Sequence, residues 1–233
     1  MVSRFTSAYS LLIARVSEVN LLVKRARALE KKSPILNSKE INSLCRSSIV
    51  LLSSHIEGYV KDLGELALDR IYVKSVDRAK ISPRFFYAIS RGHFDDLKDT
   101  SDPSKIAEKV FKFLNEDLEY WDKSGPFSSA LPVDKFLHGF ASPSLDKIST
   151  FFSRFGYADY KSDLKRHLAA DFFSISNMIG NIVSTRNNIA HGDSTAAGTP
   201  ADIEGMVEFA LKFCRATDDA FASWMTIAMC SIR

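Results

Sequence analysis

Arg186, Asn187 and His191 stand close together near the end of a long helix-like segment. An imidazole accepts or donates a proton near neutral pH. A guanidinium is always charged and holds an oxyanion with two parallel donors. Such a set is equipped for proton transfer at an anionic centre, with Asn187 placed to orient either partner. An arginine four to six residues before a histidine arises about once by chance in a chain of this composition, so the surrounding pattern must carry the reading.

That pattern is residues 171–193, DFFSISNMIGNIVSTRNNIAHGD. Phe172, Ile175, Ile179, Ile182 and Ile189 form an apolar line at helical spacing. A second line, Asn177, Gly180, Ser184, Asn187 and His191, is small and polar throughout and could line a cleft or admit another helix at Gly180. Gly192 is a helix terminator. Asn187 and His191 share a face, whereas Arg186 and His191 differ by about 140° around an ideal axis. Arg186 and His191 therefore converge only if the helix ends or distorts near Ala190, or if a partner helix completes the site.

The elements that must position this segment are helices. Cys45, Ile49, Leu52, Ile56, Tyr59, Leu63 and Leu66 recur at alternating steps of four and three, which predicts one long helix from Asn37 or Ser38 to beyond Ile71. Residues 4–31 read as another helix, stopped by Ser33-Pro34. Thr199, Pro200, Asp202 and Glu204 form a helix start, followed by an apolar face of Ile203, Val207, Ala210, Cys214, Phe221 and Trp224. Between these lies a proline-punctuated middle. There residues 93–102 read as an acidic loop, residues 104–121 as a helix, and residues 145–155 and 161–170 as shorter ones. The expected fold is all-α: a bundle of long antiparallel helices in one domain, 1–233, elaborated at about 80–160.

Composition narrows the function classes. The chain has 233 residues, 45% hydrophobic and 25% charged, with a formal net charge of +3. A sequence pI of about 8.7 falls below that of a dedicated nucleic-acid-binding domain. Residues 1–33 nevertheless hold seven basic groups against two acidic ones, a face that a polyanion could use or that water simply solvates. Cys45, Cys214 and Cys230 are scattered and odd in number, which suggests neither a disulfide framework nor a zinc site and fits a reduced cytoplasm. Ser10 and Arg15 interrupt the early apolar patch, against a signal peptide, and residues 224–232 are too short to span a bilayer. No phosphate-binding glycine loop, nucleophile elbow or metal-ligand spacing is present, so no metal or cofactor is expected.

Residues 186–193, RNNIAHGD, resemble the R-x4-6-H motif of the HEPN superfamily, with the polar residue after the arginine supplied by Asn187. The form RN-x-IAHG is similar to the RiboL-PSP-HEPN branch, as are residues 49–63 and the capped helix from Thr199. The resemblance implies a helical bundle that dimerises with two motifs meeting at the interface. It implies a metal-independent endoribonuclease, a toxin or antiviral effector with RNA as substrate and an antitoxin or defence-system protein as possible partner. On that basis Arg186, Asn187 and His191 are the catalytic candidates, with Asn188, Ser184 and Glu57 as substrate-binding or supporting residues. A pair such as His55 and Glu57 is more often a polar margin of the core. Some relatives are silenced by modification of a tyrosine two residues after the histidine. That position here is Asp193, a departure from the pattern.

Two other readings remain open at this stage. One is a non-catalytic module of the same fold that binds RNA or protein through the Arg/His groove. The other is a structural helical subunit with Arg186 and His191 buried and satisfied. Exposure of the two side chains separates the catalytic reading from the structural one.

Overall fold

A computed structural model describes residues 4–122, 124–193, 195 and 198–233. Among them every regular element is a helix. The first, α1 (Ser7–Lys32), starts where Thr6 accepts from the Tyr9 amide and buries Ala8, Leu12, Val16, Val19, Val23, Ala26 and Leu29. A tight turn, held by Asn37 Nδ2 donating to the Leu29 carbonyl at 3.1 Å, reverses the chain into α2 (Ser38–Val73). At 36 residues, α2 is about 54 Å long. The chain ends in α9 (Phe172–Ala190) and α10 (Pro200–Ala228), which pack on α2 and on each other, with α1 also against α10.

The α10 start is the capping box expected from its sequence. Thr199 Oγ1 accepts from the Asp202 amide while the Asp202 carboxylate accepts from the Thr199 amide. Further along, buried Asp218 accepts from the Thr6 amide at 3.0 Å and from the Thr6 hydroxyl, and Tyr59 donates to the Cys214 carbonyl at 2.9 Å. These bonds tie the start of α1 and the middle of α2 to α10, satisfying polar groups in an apolar setting.

The middle of the chain contributes α3 (Pro83–Lys98), α4 (Pro103–Glu116), α5 (Leu118–Trp121), α6 (Val133–Leu137), α7 (Leu145–Ser153) and α8 (Tyr160–Leu168). Its interior is aromatic: Phe85, Phe86, Phe136, Phe151, Phe152 and Phe155 are buried. Phe152 stacks on Phe221 of α10 with centroids 4.5 Å apart, a pair worth about 1 kcal/mol beyond its buried area. Gly64 of α2 admits α7: a Cβ there would lie 2.5 Å from the Phe151 ring. The buried apolar residues of this insertion and of the four long helices form one continuous cluster.

Two expectations for the middle need correction. Residues 93–98 are not loop but the last turns of α3, which Ser82 caps and Pro83 opens. Their acidic density misleads because Asp95 is paired along the helix with Arg91 at 3.0 Å and Lys98 at 3.2 Å. The helix expected over residues 104–121 is two, broken at Asp117. That residue is fully buried and bound by Lys135 at 2.7 Å, a partner outside the helix.

The basic first helix is also less free than its charge suggests. Arg15 pairs with Asp62, Arg25 with Glu40, and Arg27 with both Glu30 and Glu204. Lys24, Lys31 and Lys32 are exposed. No helix among the described residues is long and apolar enough to cross a membrane.

Candidate active site

The motif occupies the last turn of α9, and the chain leaves that helix in a fully formed Schellman turn. The Gly192 amide donates to the Ile189 carbonyl at 3.1 Å and the Asp193 amide to the Asn188 carbonyl at 3.0 Å. Gly192 has φ +89°, a left-handed conformation that a side chain would strain. His191 is the C-cap, with φ −85° and ψ 8°. The helix therefore ends at Ala190, but its geometry continues through His191. The offset of about 140° between Arg186 and His191 is kept, together with a rise of about 7.5 Å.

Burial divides the motif along this offset. Ile175, Ile179, Ile182 and Val183 are buried, with Phe172 and Ile189 half-buried at the ends of the line. Arg186 and Asn187 are half-buried and His191 is exposed. Arg186 Nη1 donates to Asn187 Oδ1 at 3.1 Å, so the asparagine orients the guanidinium. Among the described residues Arg186 has no carboxylate partner, and the His191 imidazole has neither a hydrogen bond nor an ion pair. His191 is therefore not the buried, satisfied side chain that the structural reading expects, whereas Arg186 is half-buried and bonded to its neighbour.

The small polar line is solvent-facing. Asn177, Gly180, Ser184 and His191 are exposed, and nothing stands within 4 Å of a Cβ built at Gly180. Ser184 donates to the Asn181 carbonyl at 3.0 Å, and Asn188 is exposed beside the motif. Among the described residues nothing packs over Gly180, so the close approach read from the sequence is open to another molecule.

Glu57 holds a different place from the one suggested for it. One oxygen accepts from Lys61 at 2.7 Å and the other from the Ser142 amide at 3.1 Å. One is thus held within α2 and the other by the turn before α7, where Ser142 has φ +55°, and neither is bonded to α9 among the described residues. His55 faces Glu18 of α1 at 3.5 Å, and burial lowers its pKa although Glu18 works the other way.

One feature was missed from the sequence. A groove of about 500 Å³ runs along α2 beside the motif, lined by Ser43, Arg46, Ser47, Val50, Leu51 and Ile189. The lining residues of α2 recur at steps of three and four, so they form one stripe. Local periodicity marks such a stripe but not the helix it will face.

The family model for RiboL-PSP-HEPN matches residues 10–223. The match runs through the insertion, which the motifs alone did not reach. Neither a search of curated proteins nor a search of solved structures finds a match.

Proposed function

The chain belongs to the RiboL-PSP-HEPN family, a group associated with RNA cleavage or RNA binding, and from that premise we propose that it is a metal-independent endoribonuclease. The observation that carries the reading is the state of the motif. Among the described residues a half-buried guanidinium without a carboxylate partner and an exposed, unpartnered imidazole lie within about one turn and a half at the end of α9.

RNA supplies its own nucleophile. In the proposed reaction a base removes the 2′-hydroxyl proton, the O2′–P bond forms and the P–O5′ bond breaks. An acid protonates the leaving 5′-oxygen, giving a 2′,3′-cyclic phosphate and a 5′-hydroxyl. His191 serves as general acid/base and Arg186 binds the phosphate and its developing charge. Asn187 holds Arg186 in place, while Ser184 and Asn188 border the substrate. The offset of about 140° between Arg186 and His191 around α9 favours a site completed by a second protomer. A homodimer docked along the uncovered Asn177–Gly180–Ser184 strip brings a second motif to the first, with one histidine for each proton transfer. A toxin or antiviral effector restrained by a partner protein is the setting this chemistry suits.

The angular separation also favours a second reading. If the chain stays monomeric, the same face is an RNA-binding module without catalysis. The deciding experiment incubates purified protein with total tRNA and a generic single-stranded RNA in EDTA, beside His191→Ala. Cleavage by the wild type alone, leaving cyclic-phosphate ends, supports the nuclease. Loss of cleavage on chelation rules out the metal-independent mechanism, and equal cleavage by both proteins removes His191 from it. Binding without cleavage selects the module.

A further inference from the structure

The groove on α2 has no role in the reading above, yet its wall reaches the motif. Ile189, which lines it, lies in the chain between Arg186 and His191. Its polar members are unoccupied: among the described residues Arg46 has no ion pair, and neither Ser43 nor Ser47 makes a side-chain hydrogen bond. Two other serines of the same helix are bonded to its backbone. Ser48 donates to the Leu44 carbonyl and Ser54 to the Val50 carbonyl, the usual outlet for a helical hydroxyl.

The charge around the groove is equally uneven. The groove lies between α2 and the end of α9, while α1 is tied to α2 by Arg25–Glu40 and to the start of α10 by Arg27–Glu204. No acidic residue lines the groove among the described residues, and the acids at these helix ends are engaged elsewhere: Glu40 by Arg25, Glu30 and Glu204 by Arg27, and Asp202 by the Thr199 cap. Arg46 has no carboxylate partner among the described residues, with the Ser43 and Ser47 hydroxyls one turn apart on the same helix and an apolar floor of Val50, Leu51 and Ile189.

We propose that Ser43, Arg46 and Ser47 form a phosphate subsite for single-stranded RNA, with the attached base lying over Val50, Leu51 and Ile189. A guanidinium fork flanked by hydroxyls matches a phosphodiester, and the groove volume is within the range of pockets that hold small ligands. A strand crossing the end of α9 enters this groove with the nucleotide next to the one at the motif. No aromatic ring lines the groove, so it grips the backbone and tolerates any base. The inference rests on the reading of the chain as an RNA-handling protein, and its test is separable from the test of cleavage.

The test is fluorescence anisotropy of the full chain with a labelled, 2′-O-methylated single-stranded 12-mer, which lacks the nucleophile and so reports binding alone, across a salt series. Losing one phosphate contact lowers the slope of log K against log salt by about 0.7, which is about four-fold in affinity at 0.15 M salt. Arg46→Gln is expected to show both changes. Arg46→Lys is expected to keep the slope and lose part of the affinity, because charge remains without the fork. Ser47→Glu, at an exposed helical position, is expected to weaken binding at least as much as Arg46→Gln, which covers the case in which the arginine variant folds poorly. Wild-type affinity and slope in Arg46→Gln, or no measurable binding by the wild type, overturns the subsite. Arg46-dependent binding without cleavage of unmodified RNA keeps the subsite and removes the nuclease. Cleavage that depends on His191 with binding indifferent to Arg46 and Ser47 does the reverse.

Discussion

His93 and His191 are both histidines near the end of a helix, and their surroundings are opposites. The His93 side chain is largely buried in the insertion. Its Nε2 lies 3.4 Å from Glu116 Oε2 and 3.4 Å from Asp117 Oδ2, and its ring meets Phe113 edge-on at 6.0 Å. Asp117 has no exposed surface and also receives Lys135. His191 stands at the surface, on a helix end whose backbone groups the Schellman turn has already satisfied. The buried His93 directs its Nε2 at two carboxylates of the helices that follow. The exposed His191 has a locked backbone and, among the described residues, no partner for either ring nitrogen.

The largest expected effect comes from testing that difference directly. His191→Ala should lower single-turnover RNA cleavage by about 10²–10⁴-fold, or about 3–5 kcal/mol, with an unchanged melting temperature. A fall in melting temperature as large as that of a core variant would break the contrast. The reverse behaviour is expected of Asp117→Ala. It leaves His93 and Lys135 without their buried carboxylate and should cost about 2–3 kcal/mol in urea denaturation, the lower end reflecting Lys135, whose side chain is 44% exposed and can return to water. Its cleavage rate per folded molecule should stay within about two-fold of wild type. A selective loss of rate would place the insertion in the chemistry and not only in the scaffold.

Arg186→Lys sharpens the contrast on the motif side. A point charge replaces a fork that Asn187 orients at 3.1 Å, so cleavage should drop by about ten-fold or more with stability within about 0.5 kcal/mol of wild type. The smallest effect is expected at the α10 cap, which follows the motif loop. Thr199→Ala should cost about 1 kcal/mol and leave cleavage nearly unchanged. The Asp202 carboxylate is held below its ordinary pKa by the Thr199 backbone and hydroxyl donors. Its contribution is therefore present above the ordinary carboxylate value and is lost as pH falls through the lower folded value. The gap between wild type and Thr199→Ala in denaturation should narrow as the solution is acidified in that window, and a gap that widens would contradict the cap.

Much of the scaffold was legible because its signals are local. Apolar residues three and four apart define a helix face wherever they occur, so α1, α2, α9 and α10 were readable to within a few residues. Thr199, Pro200 and Asp202 announce their own cap, and Gly192 announces the end of α9, because each acts on backbone groups within one turn. The insertion was harder. The acids at Asp95 and Asp96 look like a loop until Arg91 and Lys98 are seen on the same helix. The break at Asp117 depends on Lys135, which periodicity does not connect to it.

The sequence by itself determined an all-helical chain, the helix on which Arg186, Asn187 and His191 lie, and the angle between Arg186 and His191. Helical spacing and a glycine at the terminus are enough for that. Tertiary structure alone decided that His191 is free while His93 is engaged, that Glu57 serves the turn before α7, and that Arg46 opens onto the groove beside Ile189. Each of these outcomes depends on which distant groups reach a side chain first, and that is set by how helices pack.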